Sequence, residues 1–340
     1  MDLQHVIVHK LIKLSGVTGA ENVTIKKKNT EFDVNNEKVI SLTKQIKETY
    51  TNKSGLGYGD FEKGVGMFEQ KLSQFHKAQI DFINFTLEAM TQLKNAIKNK
   101  SLATGGYLLF FIYKEDGASF LIIAMLKNKG QFDFDDDLNL KDVQTIDLNH
   151  LHIAARFNFN KWVGNGEHYI SFVKGISKDV TDYFKSFIGI DDANYTDSKE
   201  NTGDLYTATT DYCEKRSYTM ETENSIRQRL YDLATEKHKS GQPITIQEIA
   251  NIIDPEDPER FVAYANSDEC NLPGEIHIDK KEARKLVNIS GGDNLVHVRF
   301  STEALDKNRV TFDIENDYIM INGIPDDIKK HLRMYEKKED

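Results

Sequence analysis

The chain has 340 residues, 39% of them hydrophobic and 10% aromatic, enough to bury the cores of about two domains. No run approaches the ~20 consecutive apolar residues of a membrane-spanning helix. Met1-Asp2-Leu3-Gln4-His5 lacks the basic and apolar segments of a signal peptide, and Cys213 and Cys270 are too few to frame a secreted scaffold, so a cytoplasmic globular protein with free thiols and no membrane partner is expected.

The net charge of -10 is the wrong sign for coating nucleic acid by bulk charge. It is unevenly spread. Residues 1–190 hold 24 Lys+Arg against 22 Asp+Glu, whereas residues 191–340 hold 20 against 32. Such asymmetry suggests different partners for the two parts.

In chain order, residues 3–14 are β-branched, apolar and partly alternating, which predicts a strand with 22–28 as its hairpin partner. Residues 37–50 carry Ile40, Thr43, Ile46 and Tyr50 at helical spacing. The glycine-rich stretch 55–66 has neither dinucleotide-binding spacing nor the ending of a phosphate loop, and is read as a mobile connection. The strongest helix signal covers 67–99, where Phe68, Leu72, Phe75, Phe82, Leu87, Met90, Leu93 and Ile97 approximate a 3.6-residue period. Apolar runs at 107–113 and 119–127, joined through Asp116-Gly117, predict a hairpin of central strands covered on both faces. An acidic loop at 131–142 leads to a short strand near 145–148. Alternating strands at 152–160 and 167–173 come next, and then an amphipathic helix at 177–188 with Ser177 as N-cap and Gly189 at its end.

The polar, turn-rich stretch 191–203 sets the domain boundary after residue 190. Helical patterns occupy 204–214, 218–239, 245–253 and 258–266, punctuated by Gly241-Gln242-Pro243 and Asp254-Pro255. Strands at 294–300, 309–314 and 318–321 follow, then a last helix after Gly323-Ile324-Pro325. The expected class is α+β. An N-terminal, mainly antiparallel sheet with helices fills 1–190, and a C-terminal helical subdomain closed by a small antiparallel sheet fills 191–340.

No motif assembles an active site. Asp133, Asp135, Asp137 and Asn139 match the spacing of a calcium loop, but Leu138 stands where glycine is needed and Gln144 where the closing glutamate belongs. His150 and His152 would share one strand face without further zinc ligands, and read as hydrogen-bonded or surface histidines. Asp327-x-Lys329 resembles a nuclease signature, yet crowds into a helix start rather than onto adjacent strands. Residues 242–266 have the outline of a helix-turn-helix, but the second helix carries Arg260 as its only base behind Asp254, Glu256, Asp257 and Glu259, which favours a packed helical subdomain. A non-enzyme without metal or cofactor is expected.

The basic residues carry more. Lys26, Lys27 and Lys28 end a predicted strand; Lys94 and Lys98 lie one helical turn apart, with Lys100 just beyond. Arg156 and Lys161 lie on or after an alternating strand, and Lys174 and Lys178 flank the start of helix 177–188, whose N–H groups could meet a phosphate. Ordinary solvated lysines are the plainer account of each. As a set they are the candidate nucleic-acid contacts.

Thr104-Gly105-Gly106 through Tyr113, Ile146-Asp147-Leu148 through Arg156 to Trp162, Tyr169-Ile170-Ser171 through Lys178 to Gly189, and Ser290-Gly291-Gly292 through Arg299 to Pro325 follow one another along nearly the whole chain. In that order and spacing they resemble the bacterial nucleoid-associated proteins of the NdpA/YejK type. These stretches are structural rather than chemical, so they point to a family more than to a mechanism. The resemblance implies a cytoplasmic protein on the nucleoid that binds double-stranded DNA without strong sequence preference, and it brings no catalytic residue set. Phosphate contacts from 1–190 would position such a protein without reading bases. The alternative is recruitment to the nucleoid by a DNA-processing partner through the acidic part 191–340, as a protein-interaction or dimerisation surface. The amphipathic helices 67–99 and 218–239 suit either a homodimer or the core.

Overall fold

The computed structural model describes residues 1–336 except 65, 102, 150, 152, 175–177, 268 and 271. It comprises two compact units, Met1–Glu200 and Asn201–Asp340.

In the first unit the strands are β1 (Asp2–Ile12), β2 (Thr24–Lys26), β3 (Leu56–Gly59), β4 (Gly106–Glu115), β5 (Ala118–Leu126), β6 (Asn128–Phe134), β7 (Leu140–Ile146), β8 (Ile153–Asn158), β9 (Ile170–Val173) and β10 (Thr196–Asp197). The helices are α1 (Glu37–Thr51), α2 (Met67–His76), α3 (Phe82–Ile97), α4 (Phe159–Val163) and α5 (Lys178–Ile188). Eight strands form one antiparallel sheet in the order β10-β3-β9-β8-β5-β4-β1-β2. Its centre is apolar on both faces because both are covered. Leu108, Phe110, Ile112, Leu121 and Ile123 pack with Phe68 and Leu72 of α2, Phe85 and Met90 of α3, and Phe184 and Phe187 of α5. The alternate residues Leu109, Phe111, Tyr113, Ile122 and Ala124 pack with Ile46 and Tyr50 of α1. Asp116 and Gly117 both take positive φ, 51° and 79°, the geometry of the two-residue turn that suits strand twist.

The predicted helix 67–99 is in fact two. Ala78 adopts a positive φ of 55°, and the Asp81 carboxylate accepts the Asn84 N–H at 2.7 Å to start α3 afresh. The glycine-rich stretch is no mobile connection, for it contains β3, hydrogen-bonded to β9 and β10. Gly57 must be glycine there, since a Cβ would lie 2.5 Å from the Tyr195 ring and 2.6 Å from that of Phe172. The acidic loop is the hairpin β6–β7. Asp135 Oδ1 accepts the N–H groups of Asp137 at 3.0 Å and Asn139 at 2.9 Å, so this carboxylate turns the chain. Because β10 pairs with β3, the break between the units falls after Glu200 rather than after residue 190. Gly189 takes the left-handed φ of 82° expected past a helix end. His150, His152 and Ser177 lie outside the described residues.

The second unit contains α6 (Ser198–Lys215, entering from the boundary), α7 (Met220–Ser240), β11 (Ile244–Thr245), α8 (Ile246–Ile253), α9 (Pro258–Ala265), β12 (Glu275–Ile276) and α10 (Lys280–Ala283). Leu205, Tyr212, Leu230, Ile249, Ile253 and Phe261 centre its core. Thr245 and Glu248 form a reciprocal capping box at α8. In α9, Phe261 and Ala265 are buried, and Arg260 pairs with Asp254 at 3.5 Å and Asp257 at 2.7 Å, as a packed subdomain requires. The chain then runs through β13 (Asn288–Gly292), β14 (His297–Ser301), α11 (Thr302–Asp306), β15 (Val310–Asp313), β16 (Tyr318–Ile321) and α12 (Asp326–Glu336). The closing strands make two separate hairpins, β13–β14 and β15–β16, rather than one small sheet. Among the described residues no helix is long and apolar enough to cross a membrane.

Candidate nucleic-acid interface

One end of the first unit's sheet gathers lysines from segments far apart in sequence. The register sets Lys10 of β1 opposite both Lys26 of edge strand β2 and Tyr107 of β4, and Tyr107 opposite Leu126 at the exit of β5. Lys127 follows directly. Helix α3 packs on β1 and β2, so its C-terminus delivers Lys98 and Lys100 to the same end. There the connection after α3 folds onto the connection after β1: Gly19 N–H donates to Lys98 O and Gly16 N–H to Ser101 O, both at 2.8 Å.

Lys13 anchors this junction. It is only 4% exposed, and its Nζ donates to the carbonyls of Ala103 at 2.8 Å, Val17 at 2.9 Å and Leu14 at 3.3 Å. Burial lowers its pKa from the usual lysine value. Gly105 N–H donates to Lys13 O at 3.0 Å, and a Cβ on Gly105 would collide with the Leu11 carbonyl oxygen. Next to Lys13 opens a cleft of about 320 Å³, lined by Lys10, Lys13, Gly105, Gly106, Tyr107 and Lys127 among others. Lys10 Nζ donates to the Tyr107 hydroxyl at 3.2 Å and lies 4.7 Å from the ring centroid. Lys127 Nζ donates to Thr104 Oγ1 at 2.8 Å. Among the described residues no Asp or Glu lines this cleft.

The predicted contacts divide. Lys26 and Lys27 are exposed beside Lys10, while Lys28 lies 4.8 Å over the Phe32 ring. Lys94 and Lys98 ride on the last turns of α3, where cations also complement the helix dipole. Lys161 follows β8 at the opposite end of the sheet, its Nζ directed to Glu167 O at 3.5 Å. Lys174 is ion-paired with Asp197. Lys178 opens α5, and its side chain is not among those described. Arg156 is half-buried away from the lysines: it sits opposite Ile122 on the α1 side of the sheet, 5.0 Å over the Phe120 ring and within electrostatic reach of Tyr50, Tyr58 and Tyr113. Lys10, Lys13 and Lys127 escaped the sequence reading because they stand at the ends of apolar strands. The break Thr104-Gly105-Gly106 was the local signal that a cleft could open there.

Within the same unit Lys47 and Lys185 are neutralised by Glu115 and Asp192. Lys10, Lys26, Lys27, Lys28, Lys98, Lys100 and Lys127 have no ion pair among the described residues. That leaves a patch of uncompensated positive charge on a chain of net charge -10.

The chain was compared with known proteins. A family described as nucleoid-associated protein YejK matches residues 7–329. A nucleoid-associated protein of Pseudomonas entomophila is 29% identical over 338 residues, 98% of this chain and 99% of the relative. Nucleoid-associated proteins of Pseudomonas aeruginosa and Pseudomonas paraeruginosa are 28% and 27% identical, and the alignments cover 98% and 100% of this chain and 98% and 99% of those relatives. The chain therefore belongs to the nucleoid-associated protein YejK family.

Proposed function

We propose that the chain binds double-stranded DNA through the basic end of the first unit's sheet, chiefly by phosphate contacts and without strong sequence preference. The observation that carries this reading is the convergence of Lys10, Lys26, Lys27, Lys28, Lys98, Lys100 and Lys127 from four sequence-distant segments, unpaired among the described residues. Lys94 extends the patch along α3. The relatives' names agree with a role at the nucleoid. Phosphate neutralisation releases counterions, so affinity for a random duplex falls linearly with salt on logarithmic axes, by about 0.9 per phosphate contacted. A footprint of about five phosphates gives a slope between about -4 and -5. Changing Lys26, Lys27 and Lys28 together to glutamate lowers affinity at least about tenfold and flattens that slope. Wild-type binding by the triple variant would move the interface elsewhere.

A second reading draws on the excess of 32 acidic over 20 basic residues in 191–340, which suits electrostatic capture of a basic DNA-processing protein. Pull-down with the intact chain before and after nuclease treatment separates the two. A partner that survives digestion contacts the protein itself, and one that disappears was bridged by DNA. No residue is assigned a catalytic role.

A further inference from the structure

We infer that the cleft beside Lys13 is a discrete site for a phosphate monoester dianion, such as the 5′-phosphate at a DNA end. The inference deepens the DNA reading, and depends on it only for the source of the phosphate.

Lys13 is 4% exposed, and a lysine so buried is costly to keep charged unless something compensates it. All three Lys13 donors go to neutral carbonyl oxygens, and no carboxylate among the described residues lines the cleft. Asp147, whose N–H donates to Lys127 O, uses its Oδ1 to accept the Asn149 N–H at 3.1 Å. Lys10 and Lys127 add two further positive charges, bonded to the neutral hydroxyls of Tyr107 and Thr104. Three lysines against no lining acid match a doubly charged anion better than a singly charged one. Shape argues the same way. The diester backbone of a duplex is a convex ridge, whereas Lys10, Lys13, Tyr107 and Lys127 line a cleft. A terminal phosphate projects from its strand and enters such a cleft more readily than an internal one. The phosphate would accept from Lys10 and Lys127, while Lys13, its own donors occupied, adds to the local charge.

The test is thermal unfolding of the intact protein with sodium phosphate against sodium chloride at equal ionic strength and pH 7.5. Phosphate raises the midpoint by several degrees at concentrations well above its dissociation constant. Dimethyl phosphate, a monoanionic diester, gives no rise. The shift disappears in Lys10→Met/Lys127→Met, whose side chains are partly exposed, and in Lys13→Met if that variant folds. No phosphate-specific shift, an equal shift with dimethyl phosphate, or a shift retained in the double variant overturns the proposal. The source is read from gel shifts on short duplexes: at least fivefold tighter binding of a 5′-phosphorylated end than of a 5′-hydroxyl end identifies the DNA terminus, and equal binding alongside the thermal shift identifies a free phosphate compound. Binding to closed circular DNA tests the basic patch separately, so the two readings fail independently.

Discussion

His9 shows how one buried side chain ties the basic edge to the core. Thr86 Oγ1 donates to Ile83 O, so it must accept from His9 Nε2–H at 3.0 Å, and His9 Nδ1 accepts the Lys28 N–H at 3.2 Å. The imidazole is therefore neutral with its proton on Nε2. Burial first, and the Lys27 charge second, push its pKa down to about 4. Because the unfolded chain binds this proton near pH 6.5, the contribution of His9 is complete above that pH and is lost as pH falls from 6.5 toward 4. Urea unfolding at pH 7.5 and pH 5 should show the loss, up to about 2 kcal/mol from this residue by linkage, and His9→Gln should reduce the difference. An unchanged pH dependence in the variant would sink this account. Arg156 supplies a second contrast at the same scale. Arg156→Ala should lower stability by roughly 2–3 kcal/mol through lost packing among Phe120 and the tyrosines. The salt slope of DNA binding should not change, and a flatter slope would return Arg156 to the interface.

At the scale of elements, local signals and long-range contacts part company. The apolar runs of β4 and β5 and the Asp116-Gly117 turn were legible because period, length and turn chemistry agree within one short window. The break between α2 and α3 was not. Phe75, Phe82 and Phe85 keep helical spacing across it, while Ala78 and the Asp81 cap reset the helix. Strand β3 was hidden because Leu56-Gly57-Tyr58-Gly59 has little intrinsic strand preference. It is a strand because β9 and β10 flank it, and Gly57 is glycine because two rings from those neighbouring segments meet there. Gly57→Ala should therefore cost roughly 1–3 kcal/mol, far above the effect of Gly→Ala at an open strand position. Thermal unfolding checks this, and a variant within experimental error of wild type would show that Tyr195 and Phe172 yield freely.

Across the whole molecule, the sequence by itself determined the class, the order of most elements, the acidic bias of residues 191–340 and, through ordered structural motifs, the family. Each of these resides in composition, in periods of two or 3.6 residues, or in the linear order of segments, which survive without knowledge of the fold. Most of the candidate interface was also visible, as Lys26, Lys27, Lys28, Lys94, Lys98 and Lys100. Only the tertiary structure decided which basic residues lie together. Sheet register set Lys10 against Lys26, and two connections folding on each other buried Lys13 beside Lys127. It also set Arg156 over the Phe120 ring, half-buried, and gave Lys174 to Asp197. Charge adds through space rather than along the chain, so Lys10 and Lys127, more than a hundred positions apart, line one cleft while neighbours in sequence face opposite sides of a sheet.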